Sequence, residues 1–237
     1  SLFSEFDIHL FRAGNHYQIH KHLGSHVVEV DGVRGVYFAV WAPNAGRVNV
    51  IGSFNYWNQN THKLHPRWDS SGIWEGFIPD IEIGTLYKYA IHSSNGQTYE
   101  KGDPYARQWE CPPSTASIVW DDEYTWQDKN WMQTRVAHNA LNTPQSIYEV
   151  HLGSWRKKNN GQEFLSYREL AVELVDYVKQ LNFTHVEFMP VMEHPFFGSW
   201  GYQIHGYFAP TSRFGNPADF KFLVDAFHNA GIGVILD

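Results

Sequence analysis

One change of rhythm governs what this chain can fold into. Up to about residue 120 its apolar residues recur with period two. After Pro144 they recur as strand, helix, strand, helix, strand. A period of two gives strands with one buried face, and the later pattern gives parallel strands joined by crossover helices, so two architectures share one chain. The length of 237 residues fits that division, at roughly 150 residues per domain. Asp31-Gly32 separates Val27–Val30 from Val33–Trp41, and Asn95-Gly96 separates Tyr87–His92 from Gln97–Tyr99. Both dipeptides favour the positive φ angles of tight hairpin turns. Arg47–Ile51 and Gly72–Ile78 supply further strands, and such a series fits an immunoglobulin-like β-sandwich over residues 25–120, after an N-terminal segment 1–24.

Residues 121–144 mix charge, amide and Trp without a period and read as a linker, in which Trp126 and Trp131 are expected to tie the segment to its neighbours. Beyond it, Ser146–Leu152 reads as a strand. Ser166-Tyr167-Arg168-Glu169 is a capping box that opens a helix with Leu170, Leu174, Val175, Val178 and Leu181 on one face. Asn182 suits its left-handed end. Phe183–Met189 is the second strand, and Asn216-Pro217-Ala218-Asp219 starts a second helix that Gly231 ends. Ile232–Leu236 is nearly all apolar, as a strand buried on both faces should be, and Asp237 closes it. The pattern predicts the first three strands and two helices of an α/β fold, a (β/α)8 TIM barrel or a doubly wound sheet, over residues 145–237. No Gly-x-Gly-x-x-Gly follows a strand, so no dinucleotide site is expected. The long loop Pro190–Gly215 is the place to look for function, because in a barrel the loops after the strands build the active site.

Composition excludes several classes. Hydrophobic residues at 43% suffice for a core, and neither half of a chain of net charge -7 carries the basic stripe that nucleic-acid binding needs. Cys111 is the single cysteine, so internal disulfides and zinc sites on cysteine pairs are excluded, and a reducing compartment is the simpler reading. No run is long enough to span a membrane, and the first residues lack the basic and apolar regions of a signal peptide. A soluble protein of the cytoplasm is expected, or of a plastid if a transit peptide has been removed. His194, His205 and Glu193 lie in the long loop without a recognised ligand spacing, so no metal is expected there. The two His read as hydrogen-bonded loop residues. No cofactor is expected.

Two stretches carry a family resemblance. Gly52-Ser53-Phe54-Asn55-Tyr56-Trp57-Asn58 after a strand, with Leu86-Tyr87-Lys88-Tyr89, resembles carbohydrate-binding module family 48, the starch-binding module that precedes the catalytic barrel in branching and debranching enzymes of the α-amylase superfamily. The resemblance implies a sugar platform at Trp57, Lys88 and Thr98, although Thr98 offers no aromatic face. Read from the residues alone, Trp57 equally fits a core filler and Lys88 a solvated strand residue. The loop Met189–Thr211, with Gly198-Ser199-Trp200-Gly201-Tyr202-Gln203, closely resembles glucan branching enzymes of that superfamily. By resemblance, Tyr202 stacks on the sugar beside the scissile bond, Asp237 opens the first conserved region and organises the same subsite, and Trp200 and Gln203 are neighbours that either shape the pocket or only pack.

The activity this implies is that of a 1,4-α-glucan branching enzyme, which cleaves α-1,4 links and re-forms them as α-1,6 branches by a retaining double displacement. Its partner is an α-1,4-glucan such as amylose or glycogen, with no nucleic acid or membrane. The alternatives are a debranching or trehalose-forming enzyme of the same superfamily, and a non-catalytic glycan-binding protein. The nucleophile and the acid/base belong after strands four and five, so the intact protein is expected to continue past Asp237.

Overall fold

The computed structural model describes every residue except 122, 159, 160 and 162. It divides into two compact units, Ser1–Asp121 with Gly206–Ala209, and Asp122–His205 with Pro210–Asp237.

The first unit is a sandwich preceded by helix α1 (Glu5–Arg12). Its strands are β1 (Gly24–Val30), β2 (Val33–Trp41), β3 (Ala45–Gly52), β4 (His65–Pro66), β5 (Ile73–Pro79), β6 (Leu86–Ser93), β7 (Thr98–Lys101), β8 (Gln108–Trp109) and β9 (Ser117–Ile118). One sheet runs β1-β2-β5-β4 and the other β3-β6-β9-β8, with β7 added beside β6. The hairpin dipeptides sit where the sequence put them, with Asp31, Gly32 and Gly96 all at positive φ. Val36, Phe38 and Val40 of β2 meet Val48 and Val50 of β3 and Tyr87 and Tyr89 of β6 in the core between the sheets.

β2 is buried on its other face as well, which explains its near-continuous apolar run. There Tyr37 and Ala39, with Ile73, pack against Phe3, Ile8 and Leu23. Residues 1–24, read as a separate segment, therefore belong to the sandwich. Burying each of those large side chains is worth about 1.5–3 kcal/mol.

In the second unit, the stretch read as a linker carries α2 (Lys129–His138). This corrects the expectation of an irregular connection over 121–144. The helix was hidden because it lacks an apolar stripe and is held from outside: Trp131 is buried, stacked between His228 and His138 at ring-centroid distances of 5.1 and 5.4 Å. Asp225 accepts hydrogen bonds from the Tyr124 hydroxyl at 2.9 Å and the Gln127 amide at 3.0 Å.

Next come β10 (Ile147–Val150), α3 (Leu152–Trp155), the short antiparallel pair β11 (Lys157–Lys158) and β12 (Glu163–Phe164), α4 (Tyr167–Gln180) and β13 (His185–Phe188). β14 (Met192–Glu193), β15 (Gly206–Pro210), α5 (Pro217–Asn229) and β16 (Gly233–Leu236) complete the order. β10, β13 and β16 form a parallel sheet in that order. Both main helices start at capping boxes, Ser166 with Glu169 and Asn216 with Asp219, and α4 ends before Asn182 at φ 59°. Tyr148, Val150, Val186, Phe188 and Val234 join the helices in one core. The alternate positions Glu149, Glu187 and Ile235, paired in register across the sheet, turn to the opposite face.

The long loop is less irregular than its length suggests. It contains β14, β15 and two short 3-10 turns, and residues 206–209 pack with the first unit, where Phe208 stacks on Tyr105 at 4.7 Å. By sequence position alone they would fall in the α/β part.

Candidate functional site

Strand β16 runs apolar to its last residue and then delivers Asp237, whose amide donates to the Phe188 carbonyl at 3.1 Å and so extends the parallel ladder by one step. Its side chain is exposed on the face away from the helices, the face that Glu149 and Glu187 occupy. Tyr202 comes to it from the long loop. Its hydroxyl donates to Asp237 Oδ2 at 2.6 Å. Thirty-five positions apart in sequence, the phenol and the carboxylate meet directly.

The loop geometry behind that contact is specific. A 3-10 turn, Phe197–Ser199, ends with Trp200 in the left-handed region at φ 57°, followed by Gly201 at φ 92°. A Cβ on Gly201 would lie 2.2 Å from the Pro190 carbonyl oxygen, so only glycine permits this approach. The Tyr202 amide then donates to the Ser199 carbonyl at 3.1 Å. Trp200 and Gln203 flank the tyrosine and are both exposed.

Beneath them the loop is fastened by Glu193, fully buried. Its carboxylate accepts from the Ser212 amide at 2.6 Å, the Ser212 hydroxyl at 2.7 Å, the Thr211 hydroxyl at 3.1 Å and Arg213 Nη1 at 3.0 Å. A charge with this many partners is a structural hub. His194, also buried, holds the Met192 carbonyl through Nδ1 at 2.9 Å, and burial lowers its pKa and that of His205. Neither forms a metal cluster with Glu193 among the described residues.

Electrostatically the site is acidic. The Tyr202 hydroxyl has its pKa raised, first by the hydrogen bond to Asp237 and then by slight burial and by the charges of Asp237, Glu149 and Glu187. It stays a neutral donor over the whole physiological range. His151, just past the end of β10, has its pKa lowered by burial and bonds the Ser154 hydroxyl through Nδ1 at 2.8 Å. Glu149, Glu187 and His151 were not singled out from the sequence. The signal was there, since each Glu interrupts an apolar strand at the alternate position.

In the first unit, Trp57 and Lys88 also come together, with Lys88 Nζ 5.8 Å from the Trp57 ring centre and 2.9 Å from the Thr115 hydroxyl. Asn55 builds the turn between them: its side-chain oxygen accepts from the Gly52 amide at 2.9 Å, and its amide donates to the Val50 carbonyl at 3.1 Å. Trp57 is left 37% exposed, outside the core clusters, so it is no core filler. Thr98 stands exposed on β7 and is engaged with His92 Nδ1 at 2.8 Å.

Comparisons with known proteins cover both parts of the chain. Residues 22–106 match carbohydrate-binding module 48, the isoamylase N-terminal domain, and residues 171–237 match the alpha amylase catalytic domain. The whole chain is 54% identical over 239 residues to the 1,4-alpha-glucan branching enzyme GlgB of Gloeobacter violaceus, and 52% identical over 238 residues to that of Aquifex aeolicus. Over its whole length the chain is similar to glucan branching enzymes. It spans 33% and 38% of the length of those two relatives. A solved structure described as an alpha amylase from Salmonella typhimurium superposes with a TM-score of 0.69 at 26% identity, covering 91% of this chain and 32% of that one. The catalytic module of the glycogen-degrading pneumococcal virulence factor SpuA gives 0.66 at 21% identity over 91% of this chain and 37% of its own, a likeness of fold. Along the chain a carbohydrate-binding module 48 is thus followed by the start of an alpha amylase catalytic domain.

Proposed function

We propose that the protein carrying this chain is a 1,4-α-glucan branching enzyme acting on amylose or glycogen in the cytoplasm, and that Tyr202 and Asp237 form one wall of its sugar subsite beside the scissile bond. The observation that carries the reading is their 2.6 Å contact at the end of β16. A phenol whose hydroxyl is fixed by a carboxylate presents its ring as a flat apolar platform, and the carboxylate oxygens accept from sugar hydroxyls while opposing positive charge on the ring as the bond breaks. The three parallel strands serve as the first three of the eight in a (β/α)8 barrel, with these residues at its catalytic rim. Retaining transfer needs two carboxyl groups about 5 Å apart, one a nucleophile and one a proton donor and acceptor, which the family resemblance puts after the fourth and fifth strands of the barrel. Trp200 and Gln203 extend the subsite on the loop side.

The test is to incubate the natural-length protein with amylose and count α-1,6 branch points, alongside Tyr202→Ala. Branches from the wild type and a large loss in the variant support the reading. Release of reducing ends without branches would overturn it in favour of hydrolysis.

The exposed Trp57 ring beside Lys88 favours a second, additional role, in which the sandwich holds a glucan chain while the barrel acts on it. Mobility in a glycogen-containing native gel should be retarded for the wild type and restored by Trp57→Ala; an unretarded wild type would rule the role out.

A further inference from the structure

We infer that Asp7, His16 and His22 form a zinc-binding site that cross-links the N-terminal segment to itself and so fixes the layer that covers β2. Asp7, His16 and His22 match no established ligand spacing, so the site departs from the expectation that the protein holds no metal.

The three ligand atoms all lie within 4.8 Å of one another. His16 Nε2 is 3.0 Å and His22 Nε2 is 3.4 Å from the same oxygen, Asp7 Oδ1. Zinc bound at about 2.0–2.1 Å to imidazole and carboxylate sets tetrahedral ligand edges at roughly 3.4 Å, so these spacings need little adjustment.

The orientation of each ligand is already fixed. Asp7 directs Oδ2 into the capping box of α1, where it accepts from the Ser4 amide at 2.8 Å and the Ser4 hydroxyl at 2.6 Å, and this leaves Oδ1 facing the two rings. His22 Nδ1 lies 2.9 Å from the Leu2 carbonyl oxygen. A carbonyl only accepts, so Nδ1 carries a hydrogen and Nε2 is the ring atom that faces Asp7 Oδ1. The ring nitrogen bonded to a backbone carbonyl while its partner meets a carboxylate is the outer-shell pattern that orients metal-bound imidazoles. The side chains of His16, His22 and Asp7 are 7%, 19% and 18% exposed, so the site is shielded yet leaves a fourth position for water.

Two imidazoles and one carboxylate suit zinc among available divalent cations, whereas magnesium and calcium prefer all-oxygen sets. The ligands come from α1, from the turn after it and from the residue before Leu23, so one ion would clamp the whole segment whose Phe3, Ile8 and Leu23 cover β2.

The experiment uses the natural-length protein without an affinity tag, stripped by chelator and titrated with Zn²⁺ by calorimetry and with Co²⁺ by visible absorption. The wild type should bind one equivalent more than His16→Ala/His22→Ala and show the intense absorption of four-coordinate cobalt, which the double variant lacks. Ser4→Ala, which loosens the carboxylate without removing a ligand, should bind about tenfold more weakly. Asp7→Asn, which keeps the shape of the cap, guards against a folding defect in the double variant and should also lose the cobalt signal. Equal stoichiometry in wild type and variants, or a wild type without the absorption, would overturn the inference and leave a protonated His22 to balance Asp7.

Discussion

The Tyr202 to Asp237 contact is the smallest unit in which the proposed chemistry can be tested. Tyr202→Phe keeps the ring and removes only the donor, so Asp237 loses its anchor. Turnover on amylose is expected to fall by about a hundredfold with little change in KM, because misplacing a catalytic group by about an ångström has that effect. Asp237→Asn should lower the ionisation pH of the Tyr202 phenol, since the bond to the carboxylate is the chief cause of its upward shift. A Tyr absorbance titration of wild type against variant reads this directly. The sequence exposed both residues as candidates, one by ending an apolar strand and the other by a loop motif. Their meeting required the left-handed pair Trp200 and Gly201, whose necessity is visible only beside the Pro190 carbonyl.

Elements that hold these residues make separate demands. Gly201→Ala should destabilise the loop by about 1–3 kcal/mol through strain at its positive φ and reduce activity without disturbing the sheet, measurable as faster hydrogen exchange confined to the loop. Ser166→Ala breaks the capping box of α4 and should lower stability by about 1 kcal/mol in thermal unfolding.

In the sandwich a buried carboxyl and a half-buried imidazole oppose each other. Asp103 accepts from the Tyr87 and Tyr89 hydroxyls at 2.7 and 2.9 Å, yet burial pushes its pKa up to about 6. Its raised pKa gives stability that is full below the usual carboxylate value and is lost as pH rises through about 6, a change of ~3 kcal/mol. His26 is depressed to about 4 by burial and by Arg107, so its contribution is present above the usual histidine value and is lost as pH falls through about 4. Between pH 4 and 6 the two slopes oppose. Asp103→Asn should therefore leave a stability that climbs with pH across that window, and His26→Gln one that declines, both read by denaturant unfolding. A profile unchanged by either substitution would contradict this assignment.

At the scale of the molecule, the parallel sheet has β10 and β16 as edges, and Ile147 and Leu236 stand exposed at 44% and 57%. Such edges recruit other strands. Residues 1–237 produced alone should associate at micromolar concentration and bind a hydrophobic dye, while the sandwich keeps its own fold. A protease-resistant monomer with one cooperative transition would contradict this.

What the sequence determined by itself were the local features: hairpin dipeptides, capping boxes, the left-handed Asn182 and the switch of apolar period. These follow from backbone sterics and from hydrogen bonds between residues near in the chain. The burial of β2 on both faces by residues 1–24, the helix α2 held by His228 and Asp225, and the convergence of Asp7, His16 and His22 emerge only in the folded molecule. Each depends on side chains meeting across folded segments, and no local pattern records which distant partner will supply the missing surface or charge.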